Sequence, residues 1–289
     1  MVTSPQIEYM QMSRELNALS RRDVTQVAKL SKYKKSAGSL VKEDPVVGNS
    51  LLGLVACLEH DIAAMHFYHK KAIDGAESSF TLMSYAASLQ KSCLWNEAAR
   101  YALSALDHEP DNLQFIDTVI GLAPLTGRFS LLNRLLAQRQ QVTSGVPHGS
   151  LGHYETIAGI LSRNGLLEKE LKTVISAIGD ALSETDVILQ EFRYHLVSER
   201  PDNSFLHYRF VLPDQFVASY YEDLIAVKLD AVPHHPRVFD AFSYSVENPT
   251  VYELYRYMEK ELEESADTIR VPDPDKMKLI EELLQGVEI

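Results

Sequence analysis

The chain has 289 residues, 45% of them hydrophobic and 24% charged, with a formal net charge of −12. This composition excludes disorder as the main state, and the acidic balance excludes a protein that coats nucleic acid through overall electrostatics, because phosphate binding needs positive potential. No apolar run approaches the ~20 residues of a membrane span, and the N-terminus MVTSPQIEYMQMSRE lacks a basic start followed by an apolar segment, so a soluble, unprocessed chain is expected.

The two cysteines, Cys57 and Cys93, lie in apolar helical patterns as small hydrophobes and build no disulfide framework or C-x-x-C motif. A reducing compartment, the cytoplasm, fits that usage. Charge is uneven along the chain. Residues 1–47 hold eight Lys or Arg against five Asp or Glu, with the cluster KLSKYKK at Lys29–Lys35, whereas residues 250–289 hold five against eleven.

In chain order, Leu16, Leu19, Val24, Val27 and Leu30 have partly helical spacing, with a separation between two helices at Arg22–Thr25, and GSLVKEDPVVGN reads as a connection. LLGLVACLEHDIAAMHFYHKKAID follows as a helical hairpin. Residues Phe80–Ser92 place Leu82, Tyr85, Ala86 and Leu89 on one stripe, and Asn96–Asp107 places Ala98, Ala99, Ala102, Ala105 and Leu106 inward, where small residues let two helices approach closely. TGRFSLLNRLLAQ repeats the turn and second helix one period on: Gly127 lies 34 residues after Cys93, and Phe129 lies 34 after Trp95. Pro124 falls within the preceding helix, which is expected to be kinked or short. After the loop QVTSGVPHGSLG, a fourth hairpin is expected at HYETIAGILSRNGLLEKELKTVISAIGDAL, turning at Asn164-Gly165.

The best unit, ending at Pro110–Asn112 and carrying Ala86, Trp95, Ala98 and Ala105, resembles the tetratricopeptide repeat, a helix-turn-helix unit of 34 residues. Cys93 stands where that family usually has its turn glycine. The resemblance implies an irregular array over residues 46–184, preceded by a helical cap or degenerate repeat at 1–45. It also implies a ligand groove built from first helices, with Met83, Ala87 and Gln90 on the groove side. Family members that clamp a terminal carboxylate use Lys and Asn there; Met83 and Ala87 are apolar, so an apolar or extended segment is the better ligand.

After Glu184 the period becomes two. YHLVS, the turn RPDN and FLHYRFVL form a β-hairpin, a helix follows at Gln215–Leu229, and RVFDAFSYSV alternates again with Phe242, Tyr244 and Val246 on one side. Helices are expected at Val251–Glu264 and Pro274–Leu284. Residues 185–289 thus read as a small antiparallel sheet with covering helices, and the whole chain as α+β. Pairing Tyr194 with Tyr208 and Leu196 with Leu206 sets His195 opposite His207 and Arg193 opposite Arg209. That cationic face calls for an acidic partner: the chain's own acidic tail or another molecule.

The search for chemistry is mostly negative. G-K-[ST] loops and strand-linked G-x-G-x-x-G motifs are absent, and HGSLG at His148–Gly152 joins helices without the nucleophile-elbow pattern. His66 and His69, three apart beside His60 and Asp61, lack the spacing and third ligand of a metal site, so no metal and no cofactor are expected. His234-His235 between two prolines reads as a turn. Glu222-Asp223 and Glu261–Glu264 lie on helices without facing across a cleft.

These features point to a non-catalytic interaction protein, an adaptor, chaperone or neutralising partner, that binds a protein segment; the acidic balance would suit a basic partner. One alternative is an enzyme with a site near His195, His207 and His234. Another is a nucleic-acid-associated regulator using Lys32, Lys34 and Lys35.

Overall fold

Asp44 decides where the first long helix stops. Helix α1 (Val24–Glu43) runs into it and α2 (Pro45–Leu58) leaves from it, the Asp44 carboxylate accepting from the N–H groups of Val46 (3.1 Å) and Val47 (3.0 Å). Pro45 takes the first helical position, where its missing N–H costs nothing. GSLVKEDPVVGN is therefore helical on both sides of one capping residue, not a connection. Burial outweighs its glycines: Leu40 is in the core, and a Cβ on Gly48 would lie 2.4 Å from the Val41 backbone N. In this computed structural model the described residues are 24–248 except 186, 199–203, 213–216, 234–236, with 11–13 and 15–16. The expected helices at 251–264 and 274–284 and residues 22–23 of the expected N-terminal separation lie outside them.

Three helical pairs follow: α2 with α3 (Ile62–Gly75), α4 (Ser79–Lys91) with α5 (Trp95–His108), and α6 (Leu113–Leu125) with α7 (Phe129–Val142). Their turns share one geometry. His60, Cys93 and Gly127 have φ of 59°, 61° and 63°, and the N–H after each bonds a carbonyl five residues back, at 2.9 Å in all three (Asp61 to Ala56, Leu94 to Leu89, Arg128 to Ala123). This left-handed closure satisfies carbonyls that a helix end otherwise leaves unpaired. On α5, Ala98, Ala99, Ala102 and Ala105 are all buried. Pro124 sits in the last turn of α6, which at 13 residues is as long as α4, so the expected shortening does not occur.

The fourth turn has the same geometry, with Gly165 at φ 64° and Leu166 N–H on Leu161 O at 2.9 Å, but its two helices part company. Helix α8 (His153–Arg163) packs on α7 and the sheet, while α9 (Glu168–Ser183) packs on α10 and crosses the turns of the earlier pairs. The reason is in α9 itself. Leu171, Val174, Ile175, Ala177, Ile178, Gly179, Ala181 and Leu182 are buried, a band too wide for one neighbour to cover.

Strands β1 (Glu191–Ser198), β2 (Ser204–Val211) and β3 (Phe242–Glu247) form a sheet in that order, with α10 (Ala218–Ala231) and α11 (Val238–Ala241) between β2 and β3. The α+β class holds, but the sheet is mixed and not antiparallel: β1 and β2 pair antiparallel, β2 and β3 parallel. The helical connection carries the chain back to the start of the sheet, so β3 enters in the direction of β2. The pairing of β1 with β2 has the register that alternation requires. Its aromatic face is met by α8 and, at single residues, by the helical pairs. Trp95 stacks on Phe210 with centroids 5.5 Å apart, and the buried Tyr208 hydroxyl donates to Pro124 O at 2.7 Å. One hydrophobic core consequently runs from Ala56 in α2 to Val246 in β3.

Two tests address this packing. A Cβ on Gly127 would lie 2.7 Å from Lys172 Cα, whereas on Gly165, at nearly the same φ, the nearest atom would be Arg237 Nη1 at 3.7 Å. Gly165→Ala is expected to cost about 1 kcal/mol of backbone strain and Gly127→Ala at least about 2 kcal/mol, read from urea unfolding. His69 is fully buried between α3 and α4, its Nε2 2.9 Å from Ser88 Oγ, and burial holds its pKa down to about 3. Between about pH 6.5 and 3 the unfolded chain takes up a proton that the folded ring refuses, so this group removes stability as pH falls and nothing above that window. His69→Gln is expected to reduce the loss of stability between pH 6.5 and 5 by about one proton, or ~1.4 kcal/mol per pH unit.

Candidate functional site

The residues singled out as groove-side lie on α4. Met83, Ala87 and Gln90 are half-buried along one side of the helix, and Met83 packs against the main core. His66 and His69 are turned toward α4: His66 Nδ1 meets the Tyr85 hydroxyl and His69 stacks over the Tyr85 ring. Among the described residues no three His, Cys, Asp or Glu side chains gather as metal ligands. On α1, Lys34 is paired with Glu59 at 2.7 Å, and Lys32 and Lys35 are exposed. His234 lies outside the described residues.

The polar face of the sheet brings Arg193, His195, His207 and Arg209 together, all half-buried. Acid is supplied from the sheet itself. Glu191 lies two residues before Arg193 and binds it at 2.7 Å, while Glu247 on β3 faces Arg209 at 3.6 Å. The expected acidic tail at 250–289 falls outside the described residues. His207 sits between hydroxyls, with Nδ1 2.8 Å from Ser243 Oγ and Nε2 3.3 Å from Ser245 Oγ, and Ser245 donates to Glu247 at 2.7 Å. Burial, with lesser contributions from Arg209 and His195, lowers its pKa to about 4, so the ring is neutral at pH 7. A neutral imidazole beside a hydroxyl can accept a proton, yet here its second nitrogen faces a serine in place of an orienting carboxylate.

A different surface is open. A groove of about 450 Å³ lies where α5, α7 and α9 meet. Leu103 and Leu131 give it an apolar part, and Arg128, Arg134, Lys169 and Lys172 supply four cations against the one carboxylate of Glu168. Each cation is positioned by the crossing just described. Arg128 follows the left-handed Gly127, Arg134 is on α7, and the Gly127 turn meets α9 at Lys172. Among the described residues none of these four side chains forms an ion pair or hydrogen bond. Glu168 is engaged: its Oε2 and Oε1 accept from Ser130 N–H and Ser130 Oγ, both at 2.9 Å.

The groove therefore has a local excess of three positive charges in a chain of net −12, and so a positive local potential. Sequence reasoning missed it because Arg128 and Arg134 belong to one expected hairpin and Lys169 and Lys172 to the next, and only the crossing of α9 unites them. The available signal was weak: cations that fall on the outward side of second helices. Compared with protein-family models, with curated proteins and with solved structures, the chain matches none of them.

Proposed function

We propose that the protein is a non-catalytic interaction protein, of the adaptor or chaperone kind, that holds an acidic segment of another protein in the groove between α5, α7 and α9. The observation that carries this reading is the set of four cations, Arg134 and Lys169 exposed and Arg128 and Lys172 half-buried, around an apolar patch and without ion-pair partners among the described residues. Such a surface attracts carboxylates at long range and gives an extended chain apolar contact once docked. The local field argues for an acidic segment over the basic partner that net charge alone suggests, since exposed charges beyond about 8 Å are screened in physiological salt.

The repeated left-handed turns and the small-residue face of α5 support a tetratricopeptide-like scaffold. The ligand side differs from the one that likeness implies. Met83, Ala87 and Gln90 on α4 carry no charge, and the end of α6 is occupied by Tyr208. Second helices carry the open groove.

Affinity capture from the native host tests the reading. The wild-type chain is expected to retain a stoichiometric protein in low salt. A variant combining Arg128→Ser, Arg134→Ser, Lys169→Ser and Lys172→Ser is expected to lose at least about tenfold of it. Recovery of the same partner by both chains, or of the bait alone, counts against the groove.

A further inference from the structure

We propose that Glu168 is a built-in occupant of the groove, a carboxylate that holds the place of the ligand's own and sets how acidic the ligand must be. This rests on the reading of the groove as a site for an acidic protein segment and goes on to name the residue that selects it.

Helix α7 begins without a side-chain cap. Its N-cap residue is Arg128, which offers no acceptor, so local sequence supplies no side-chain cap for the first turn of α7. Glu168 answers from α9, 38 residues away, with one oxygen on Ser130 N–H and the other on Ser130 Oγ, each at 2.9 Å. The geometry is that of a carboxylate held at a helix N-terminus in a groove that cations also line, the arrangement an incoming Asp or Glu side chain would seek. Two carboxylates cannot share Ser130 without mutual repulsion. A ligand with one carboxylate therefore competes with Glu168 for little gain, while a run of acidic residues displaces it and still has cations left to engage.

The occupant is a protein segment, not nucleic acid. The positive charge is confined to four side chains, few phosphates' worth of an extended polyanion, and the walls of the groove present leucines without an aromatic ring for base stacking. A short acidic run feels chiefly the local excess of positive charge.

Binding of fluorescent hexaglutamate, hexaglutamine and ten-residue thymidine oligonucleotide probes to the full chain in low salt tests this. Wild type is expected to prefer hexaglutamate. Glu168→Gln keeps an acceptor for Ser130 N–H but removes the charge, and is expected to tighten hexaglutamate binding about fivefold, the effect of one like charge a few ångströms away in a water-exposed site. Glu168→Asp keeps the charge and is expected to bring no tightening. Helix capping alone would leave affinity unchanged or lower it. If wild type prefers hexaglutamate but Glu168→Gln binds it no more tightly, Glu168 is only a cap, and the groove reading stands without this inference. If hexaglutamate binds no better than hexaglutamine, the groove reading itself falls. Tighter binding of the oligonucleotide than of hexaglutamate overturns the choice of a protein segment.

Discussion

Trp95 is the contact on which the assembly depends. It opens α5 two residues after the left-handed Cys93, stacks on Phe210 of the central strand, and reaches α9 where Gly179 leaves room: a Cβ there would lie 2.7 Å from the indole. One side chain thus joins a helical pair, the sheet and the helix that crosses between them. Large aromatic surfaces buried in this way carry much of a core's stabilisation, and here the ring is 2% exposed. The same crossing at Gly127 brings the α9 backbone against a turn, so two positions without a Cβ set where α9 lies. Its lysines face Arg128 and Arg134 because of that placement.

The molecule treats its two cationic surfaces differently. On the sheet, arginines that face each other in register are balanced by Glu191 and Glu247, and His207 is held neutral by burial. Opposed like charges in a half-buried setting would be costly without those acids. In the groove Glu168 is the one carboxylate, with Arg134 and Lys169 exposed and Arg128 and Lys172 half-buried. Acids thus neighbour the cations of the first surface, whereas the four cations of the second are not ion-paired among the described residues.

Much of the helical part was legible because it rests on local chemistry. The 3.6-residue stripes of α4 and α5 bury the residues expected of them, and Cys93 and Gly127 share the turn geometry that their spacing implied. The register of β1 and β2 was legible too, since a slip of one residue would turn the aromatic face toward solvent. What could not be read was set by tertiary packing. The parallel entry of β3 depends on where α10 and α11 leave the chain. The divergence of α8 from α9 depends on a second neighbour for α9, and hairpin reasoning assigns it only one. GSLVKEDPVVGN misled because Gly38 and Pro45 are turn signals in isolation, whereas Leu40 and Val41 find partners across α1 and α2. The groove escaped for the same reason, as its cations become neighbours only after α9 has crossed.

Cys93 carries one more consequence. Its left-handed backbone is a conformation that residues other than glycine adopt at a cost of about 1 kcal/mol, and its thiol is fully buried, with the pKa pushed up to about 12 by desolvation. The thiolate needed for alkylation or disulfide exchange is therefore withheld while the turn is closed. Labelling of Cys93 becomes a clock for opening of the joint between α4, α5 and the sheet, timing the local unfolding of the part of the molecule on which the rest is mounted.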